Sequence, residues 1–151
     1  MSDTRKSPSP RSIAKREAKM QRLENANALL RVIAAHGRRF FYSPQYDRVA
    51  RLELDPRGVI WFVDHYTDKR VYVSKTGFSG SRWDGFTSGG TLRSLVEDLR
   101  DYISSGQLLH RGVIAPMRLR EADGNIWGYD VDSARIVREQ AYELPLFAAK
   151  N

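Results

Sequence analysis

Short alternating segments between residues 38 and 75 constrain the fold more than any other feature. The segment RVARLEL alternates, with Ala50, Leu52 and Leu54 on one face, which is typical of a strand with one buried side. The turn DPRG (55–58) leads directly into VIWFVDHY, and TDK leads into RVYVSK. Because connections this short join antiparallel neighbours, the region predicts an antiparallel meander of three or four strands.

Two amphipathic helices are predicted to flank this meander. Ser12 is an N-cap residue type, so the first helix is expected from Ser12 to about Ala35. The second is expected from Leu92 to Ser104, before Gly106, with a continuous apolar face that packs across the meander. The second half of the first helix carries an apolar stripe at helical spacing, formed by Leu23, Ala26, Leu30, Ile33 and Ala34.

The last third of the chain predicts smaller, peripheral elements. VIAPMRLRE and NIWGYD flank ADG and are expected to form a hairpin, and Asp132 is expected to cap a short helix that Pro145 ends. Residues 1–11 are rich in serine, proline and charge, and are expected to form a disordered basic tail. The 151 residues therefore predict one α+β domain, residues 12–151, with an N-terminal helix before the meander.

Composition excludes several classes of protein and site. The chain has no cysteine, which rules out disulfides and thiolate metal sites. It has no apolar run that could span a membrane and no apolar signal-peptide core near Met1, so we expect a cytoplasmic protein without a membrane partner. The histidines His36, His65 and His110 lack metal-ligand spacing, and no motif indicates a metal or a cofactor.

The positive charge is concentrated at the N-terminus. Residues 1–22 contain seven basic and two acidic residues, and so carry +5 of the formal net charge of +7. On the basic helical arm, residues 12–22 with the preceding arginine, four cations fall within an arc of about 80° at ~100° per residue. These four are Arg11, Lys15, Lys19 and Arg22, and Arg16 belongs to the same arm.

One face of clustered cations is what a phosphate backbone attracts, so these residues are the predicted nucleic-acid contacts. Two other interpretations remain open. The arm is alternatively a solvated or protein-contacting end of the helix, or a targeting presequence, although it lacks regular apolar residues opposite its cations.

The glycines between Gly77 and Gly90 resemble a phosphate-binding loop but lack its motifs. No lysine accompanies SGGT, and the spacing is not that of a dinucleotide-binding loop. The preceding strands are predicted to be antiparallel, which is the wrong context for both motifs. An anion at the N-terminus of the following helix, assisted by Arg82, is the functional interpretation, and a turn capped by Thr91 or Ser88 is the structural one.

Two further groups of residues carry a functional and a structural interpretation. The hairpin Asp64 to Arg70 combines acid, base and phenol groups, which suit acid–base catalysis or simply a polar turn; Asp64 and His65 are expected on opposite strand faces. Aromatic residues around the sheet, interleaved with arginines, suit stacking of bases or packing of the core. They are Phe40, Phe41, Tyr42, Trp61, Tyr66, Tyr72, Trp83 and Phe86.

Three segments resemble small uncharacterised proteins of proteobacterial phages and other mobile elements: IWFVDHYTDKRVY, GFTSGGTLRSLVEDLRDYISSG and NIWGYD. The resemblance covers roughly Val49 to Arg138, implies a bacterial cytoplasmic accessory or counter-defence factor, and transfers no catalytic residue. We therefore predict a non-enzymatic nucleic-acid-binding accessory or regulatory protein, with DNA or RNA as its partner. The alternative is a protein-binding inhibitor or adaptor, for example an anti-CRISPR, that acts by steric blocking.

Overall fold

Eight elements build the part of the chain that the computed structural model describes, which is residues 9–36, 41–65, 68–73, 89–111 and 131–148. One helix, five short strands and two further helices follow one another, as in an α+β fold, which confirms the predicted fold class. In chain order they are α1 (Pro10–His36), β1 (Tyr42–Ser43), β2 (Arg48–Val49), β3 (Arg51–Leu54), β4 (Ile60–Val63), β5 (Arg70–Tyr72), α2 (Gly89–Ser105) and α3 (Val131–Tyr142).

The described strands form two small antiparallel sheets. β1 pairs with β2, and β3, β4 and β5 form a meander in which neighbours in sequence are neighbours in space. In the register of the meander, Leu52 lies opposite Phe62 and Leu54 opposite Ile60. Leu52, Ile60 and Phe62 are buried, so the alternation seen in the sequence does separate an inner from an outer face.

α1 is the central element, since it contacts α2, α3 and β3. It begins at Pro10, two residues before the predicted start, because Ser9 is the N-cap: its Oγ accepts a hydrogen bond from the backbone N–H of Ser12 at 3.1 Å. Pro10 then occupies the first helical position, where its missing N–H costs nothing. The expected tail therefore loses its last two residues to the helix, and residues 1–8 lie outside the described residues.

α2 begins at Gly89, three residues before the predicted Leu92, and ends at Ser105. Gly106 ends it as expected, with φ of 84° and its N–H bonded to the Tyr102 carbonyl at 2.8 Å. α2 packs against α1, and the buried Arg100 donates to the carbonyl of Val73, which follows β5, at 3.0 Å. This bond ties α2 to the end of the meander.

α3 also packs against α1, and the C-terminal segment joins the same core through Leu146. α3 runs from Val131 to Tyr142, so Asp132 lies in its first turn rather than capping it. The chain then returns to α2, where Leu109 forms a parallel bridge with Phe147. The expected hairpin before α3 lies outside the described residues. Within the described residues, no helix is both long and apolar enough to traverse a bilayer.

Candidate nucleic-acid interface

The N-terminal half of α1 extends beyond the core. Its side chains are exposed from Pro10 to Ala18, and its first buried residue is Leu23. Lys15 and Ile33 are 18 residues apart, about five turns at ~100° per residue, so both lie on the same side of the helix. The cations therefore lie on the same side of α1 as the buried stripe. They belong to the part of the helix that extends beyond the core.

A surface depression of about 610 Å³ lies beside this extension. The N-terminal half of α1 forms one wall, the turn between β3 and β4 forms the other, and the end of α2 contributes Ser104. Its described lining contains four cations and no carboxylate. The lining residues are Ser12, Lys15, Arg16, Lys19, Pro56, Arg57, Gly58 and Ser104. We call this depression the basic cleft.

The turn that carries Arg57 is organised by the buried carboxylate of Asp55. Its Oδ1 accepts hydrogen bonds from the backbone N–H groups of Arg57 and Val59, both at 2.9 Å, and its Oδ2 accepts one from Trp61 Nε1 at 3.1 Å. These bonds, that from Val59 above all, hold the pKa of Asp55 below its ordinary value. Gly58 completes the turn with φ of 86°. The carboxylate of Asp55 is thus hydrogen-bonded within the turn, while the side chain of Arg57 is exposed.

The inner cations of the stripe pack against two glycine turns. A Cβ placed on Gly58 would lie 3.9 Å from Lys19 Nζ, and one on Gly106 would lie 3.8 Å from an Arg22 guanidinium nitrogen. Arg22 Nε also donates to the Ile103 carbonyl at 3.0 Å. Both side chains are half-buried, so they join α1 to its neighbours, whereas the outer cations Arg11, Lys15 and Arg16 are exposed.

The structure brings together three of the predicted contacts, because Lys15, Arg16 and Lys19 all line the basic cleft. Arg11 is exposed about one turn beyond Lys15. Arg22, also on α1, contacts the last turn of α2 through the Ile103 carbonyl. Arg82 lies outside the described residues. Sequence reasoning missed Arg57, whose segment DPRG indicated a turn but contained no signal that this turn faces α1.

The adjacent side of α1 has a different chemistry. A groove of about 450 Å³ runs along it; its described lining comes from α1 alone and shares Ser12 and Arg16 with the basic cleft. Ile13 and Met20 are exposed there by 46% and 39%, and the flanking carboxylates are Glu17 and Glu24. Neither Glu17 nor Glu24 is among the described lining residues of the basic cleft.

The Asp64–His65 pair does not have the predicted geometry. β4 ends at Val63, so both residues follow the strand instead of alternating across it, and His65 Nδ1 lies 3.8 Å from Asp64 Oδ1. Burial lowers the pKa of His65, while the nearby Asp64 acts in the opposite direction. The described residues contain no cluster of three potential metal ligands.

Core packing accounts for the fully buried aromatic residues around the sheet. Phe41 and Phe62 are fully buried and meet edge to face, with ring centroids 6.0 Å apart. Trp61 is half-buried and donates a hydrogen bond to Asp55. The guanidinium carbon of Arg70 lies over the Trp61 ring, 5.4 Å from the ring centroid. Predicted residues outside the described part of the chain are Phe40, Tyr66, Trp83 and Phe86.

Comparison with known proteins gives a family and one informative relative. The family model described as YoqU matches residues 16–150. The chain is 28% identical over 128 residues to the SPbeta prophage-derived uncharacterized protein YoqU of Bacillus subtilis (strain 168), covering 85% of this chain and 84% of the relative. No solved structure matches the chain. The relative supports the expected resemblance to phage-derived proteins, but its Bacillus source does not support a proteobacterial one.

Proposed function

The chain belongs to the YoqU family, and we propose that it is a non-enzymatic accessory protein of a mobile element that binds nucleic acid through the basic cleft. The prophage origin of the relative supports the mobile-element setting. The observation that carries the binding role is the convergence of four cations from two elements: Lys15, Arg16 and Lys19 from α1, and Arg57 from the β3–β4 turn.

The chemistry of the basic cleft favours the sugar–phosphate backbone over the bases. Its described lining offers ammonium and guanidinium groups but no aromatic ring on which a base could stack. A duplex has about one charge per 1.7 Å of axis, against one per 3.4 Å for each strand, so a backbone-binding site gains more from double-stranded nucleic acid. Binding is therefore expected to be independent of sequence and strongly dependent on salt.

The test compares the affinity for labelled duplexes of unrelated sequence at several salt concentrations, by fluorescence anisotropy. Four phosphate contacts give a slope of log K against log salt of roughly −3.6 on DNA. The variant Lys15→Ala/Arg57→Ala is expected to flatten this slope by about 1.8 and to weaken binding to each duplex equally. Parallel assays with duplex RNA and with single strands identify the preferred form.

A matched control removes the same charge elsewhere. Arg31 is exposed on α1, opposite the buried stripe, and Arg135 is exposed on α3, where it pairs with Asp132 and Glu139. The variant Arg31→Ala/Arg135→Ala is expected to keep the slope of the unsubstituted protein. If both double variants flatten the slope equally, binding follows overall charge rather than the basic cleft. If the unsubstituted protein binds no duplex at about 50 mM salt, the proposal is wrong.

A second candidate function, a protein-binding adaptor or inhibitor, is favoured by the groove that borders the basic cleft on α1. Ile13 and Met20 supply apolar contacts, and Glu17 and Glu24 suit a protein surface that carries lysine or arginine beside apolar groups. Ile13→Ser/Met20→Ser is expected to abolish binding to such a partner, purified and titrated by calorimetry, while Ala18→Ser on another side of α1 retains it. A partner bound equally by both variants contradicts this role for the groove.

A further inference from the structure

Arg22 differs from the other cations of the stripe in what its guanidinium contacts. Its Nε donates to the carbonyl of Ile103, in the last turn of α2, at 3.0 Å. A terminal nitrogen of the same group lies 3.8 Å from where a Cβ of Gly106 would be. Arg22 is half-buried in this position, while Arg57 and Lys15 are exposed at the basic cleft.

The C-terminal end of α2 disfavours the binding of anions next to it. The free carbonyls at the C-terminus of a helix carry about half a negative charge. Ser104, which follows Ile103, lines the basic cleft, so this negative end forms part of its wall. The last turn of α2 contains no basic residue of its own. Arg22, from α1, is placed to supply the missing positive charge.

We propose that Arg22 is a positioning residue of the basic cleft: it neutralises the C-terminal end of α2 and fixes the wall that contains Ser104, without contacting a phosphate. This role rests on the proposed function. It separates Arg22 from the cations that bind the backbone directly. Arg57, which faces α1 across the cleft, is one of those cations.

Salt dependence separates the two roles, since each phosphate contact adds about −0.9 to the slope of log K against log salt. Arg57→Gln, which removes a contact, is expected to flatten the slope by about 0.9 on a labelled DNA duplex. Arg22→Gln retains a donor for Ile103 but loses the charge. It is expected to weaken binding by about two- to fivefold while the slope stays the same, and Arg22→Lys is expected to restore most of the affinity.

A second pair of variants tests the same wall without altering Arg22. Ser104 is exposed, so Ser104→Glu leaves the fold intact while it returns negative charge to the end of α2. Its binding is expected to be weaker than that of Ser104→Gln, which adds an uncharged side chain of the same length, again with the slope unchanged.

The outcomes distinguish this role from its competitors. A slope flattened by about 0.9 in Arg22→Gln overturns the proposal in favour of direct contact. Unchanged affinity in both Arg22→Gln and Ser104→Glu overturns it in favour of a purely structural arginine, as does a fall in thermal stability alone. If Arg22→Gln does not fold, Ser104→Glu decides. Absence of duplex binding by the unsubstituted protein instead rejects the proposed function, and this role with it.

Discussion

The side-chain amide of Asn27 forms two hydrogen bonds with the backbone of Leu52. Asn27 Nδ2 donates to the Leu52 carbonyl at 3.0 Å, and the Leu52 N–H donates to Asn27 Oδ1 at 2.7 Å. β3 is an edge strand of its three-stranded sheet, so the amide takes the place of a neighbouring strand at this point. α1 is thereby attached to the sheet by polar contacts as well as by its buried stripe.

Asn27→Ala is expected to lower the free energy of unfolding by about 1–3 kcal/mol, because it leaves the Leu52 N–H and carbonyl without these partners. Urea denaturation measures the change. Gln21→Ala is the matched control: Gln21 is exposed on the same helix, and a change within about 0.5 kcal/mol is expected. Equal stability of the two variants would mean that the Asn27 bonds add nothing to the fold.

Gly58→Ala is expected to destabilise the protein by about 1–2 kcal/mol, since φ of 86° is unfavourable for a residue with a Cβ. The nearest atom to the added Cβ, Lys19 Nζ at 3.9 Å, leaves room for it, so the cost comes from the backbone. Gly58→Asn is the comparison, because asparagine enters this region more readily. Thermal melts of both variants that overlay the unsubstituted protein would contradict this account of the turn.

Acid is expected to weaken the β3–β4 turn through Asp55. Because hydrogen bonds lower the pKa of Asp55 in the folded state, its contribution to stability is present above the unfolded pKa of about 4 and is lost as pH falls through the folded pKa. Asp55→Asn should therefore be less stable than the unsubstituted protein at pH 7, and the difference should shrink in strong acid. Urea unfolding at a series of pH values measures it.

The control for Asp55 is Asp132→Asn, which removes an exposed carboxylate whose pairing with Arg135 contributes little to stability. Asp132→Asn is expected to show the same dependence of the free energy of unfolding on pH as the unsubstituted protein. An unchanged acid profile in Asp55→Asn would show that the turn does not depend on this carboxylate.

His65 is expected to give the protein a second pH dependence, nearer neutrality. Its pKa is lowered in the folded state, so the unfolded chain binds the proton more readily, and stability should fall as pH drops below the unfolded value of about 6.5. In His65→Phe, which keeps an aromatic ring beside Phe41, that part of the profile should disappear. The exposed His110 provides the control His110→Gln, which should retain it. A profile that is identical in all three proteins would assign the dependence to another group.

The sequence by itself determined the elements whose signals are local. The period of Leu23, Ala26, Leu30 and Ile33 placed α1, and short polar turns determined that β3, β4 and β5 form an antiparallel meander. Helix boundaries differed by two or three residues, since Ser9 and Ser12 are equally good N-cap types and the backbone selects between them.

Only the tertiary structure decided how the cations are used. In the sequence, Arg11, Lys15, Lys19 and Arg22 form one stripe of equal members; in the fold, Arg22 bonds a carbonyl 81 residues away and Arg57 joins Lys15 and Lys19 across a cleft. Helical period fixes which side of α1 a residue lies on, because it depends on the backbone alone. What that side meets depends on how α1 packs against α2 and the β3–β4 turn, through contacts between residues far apart in the chain.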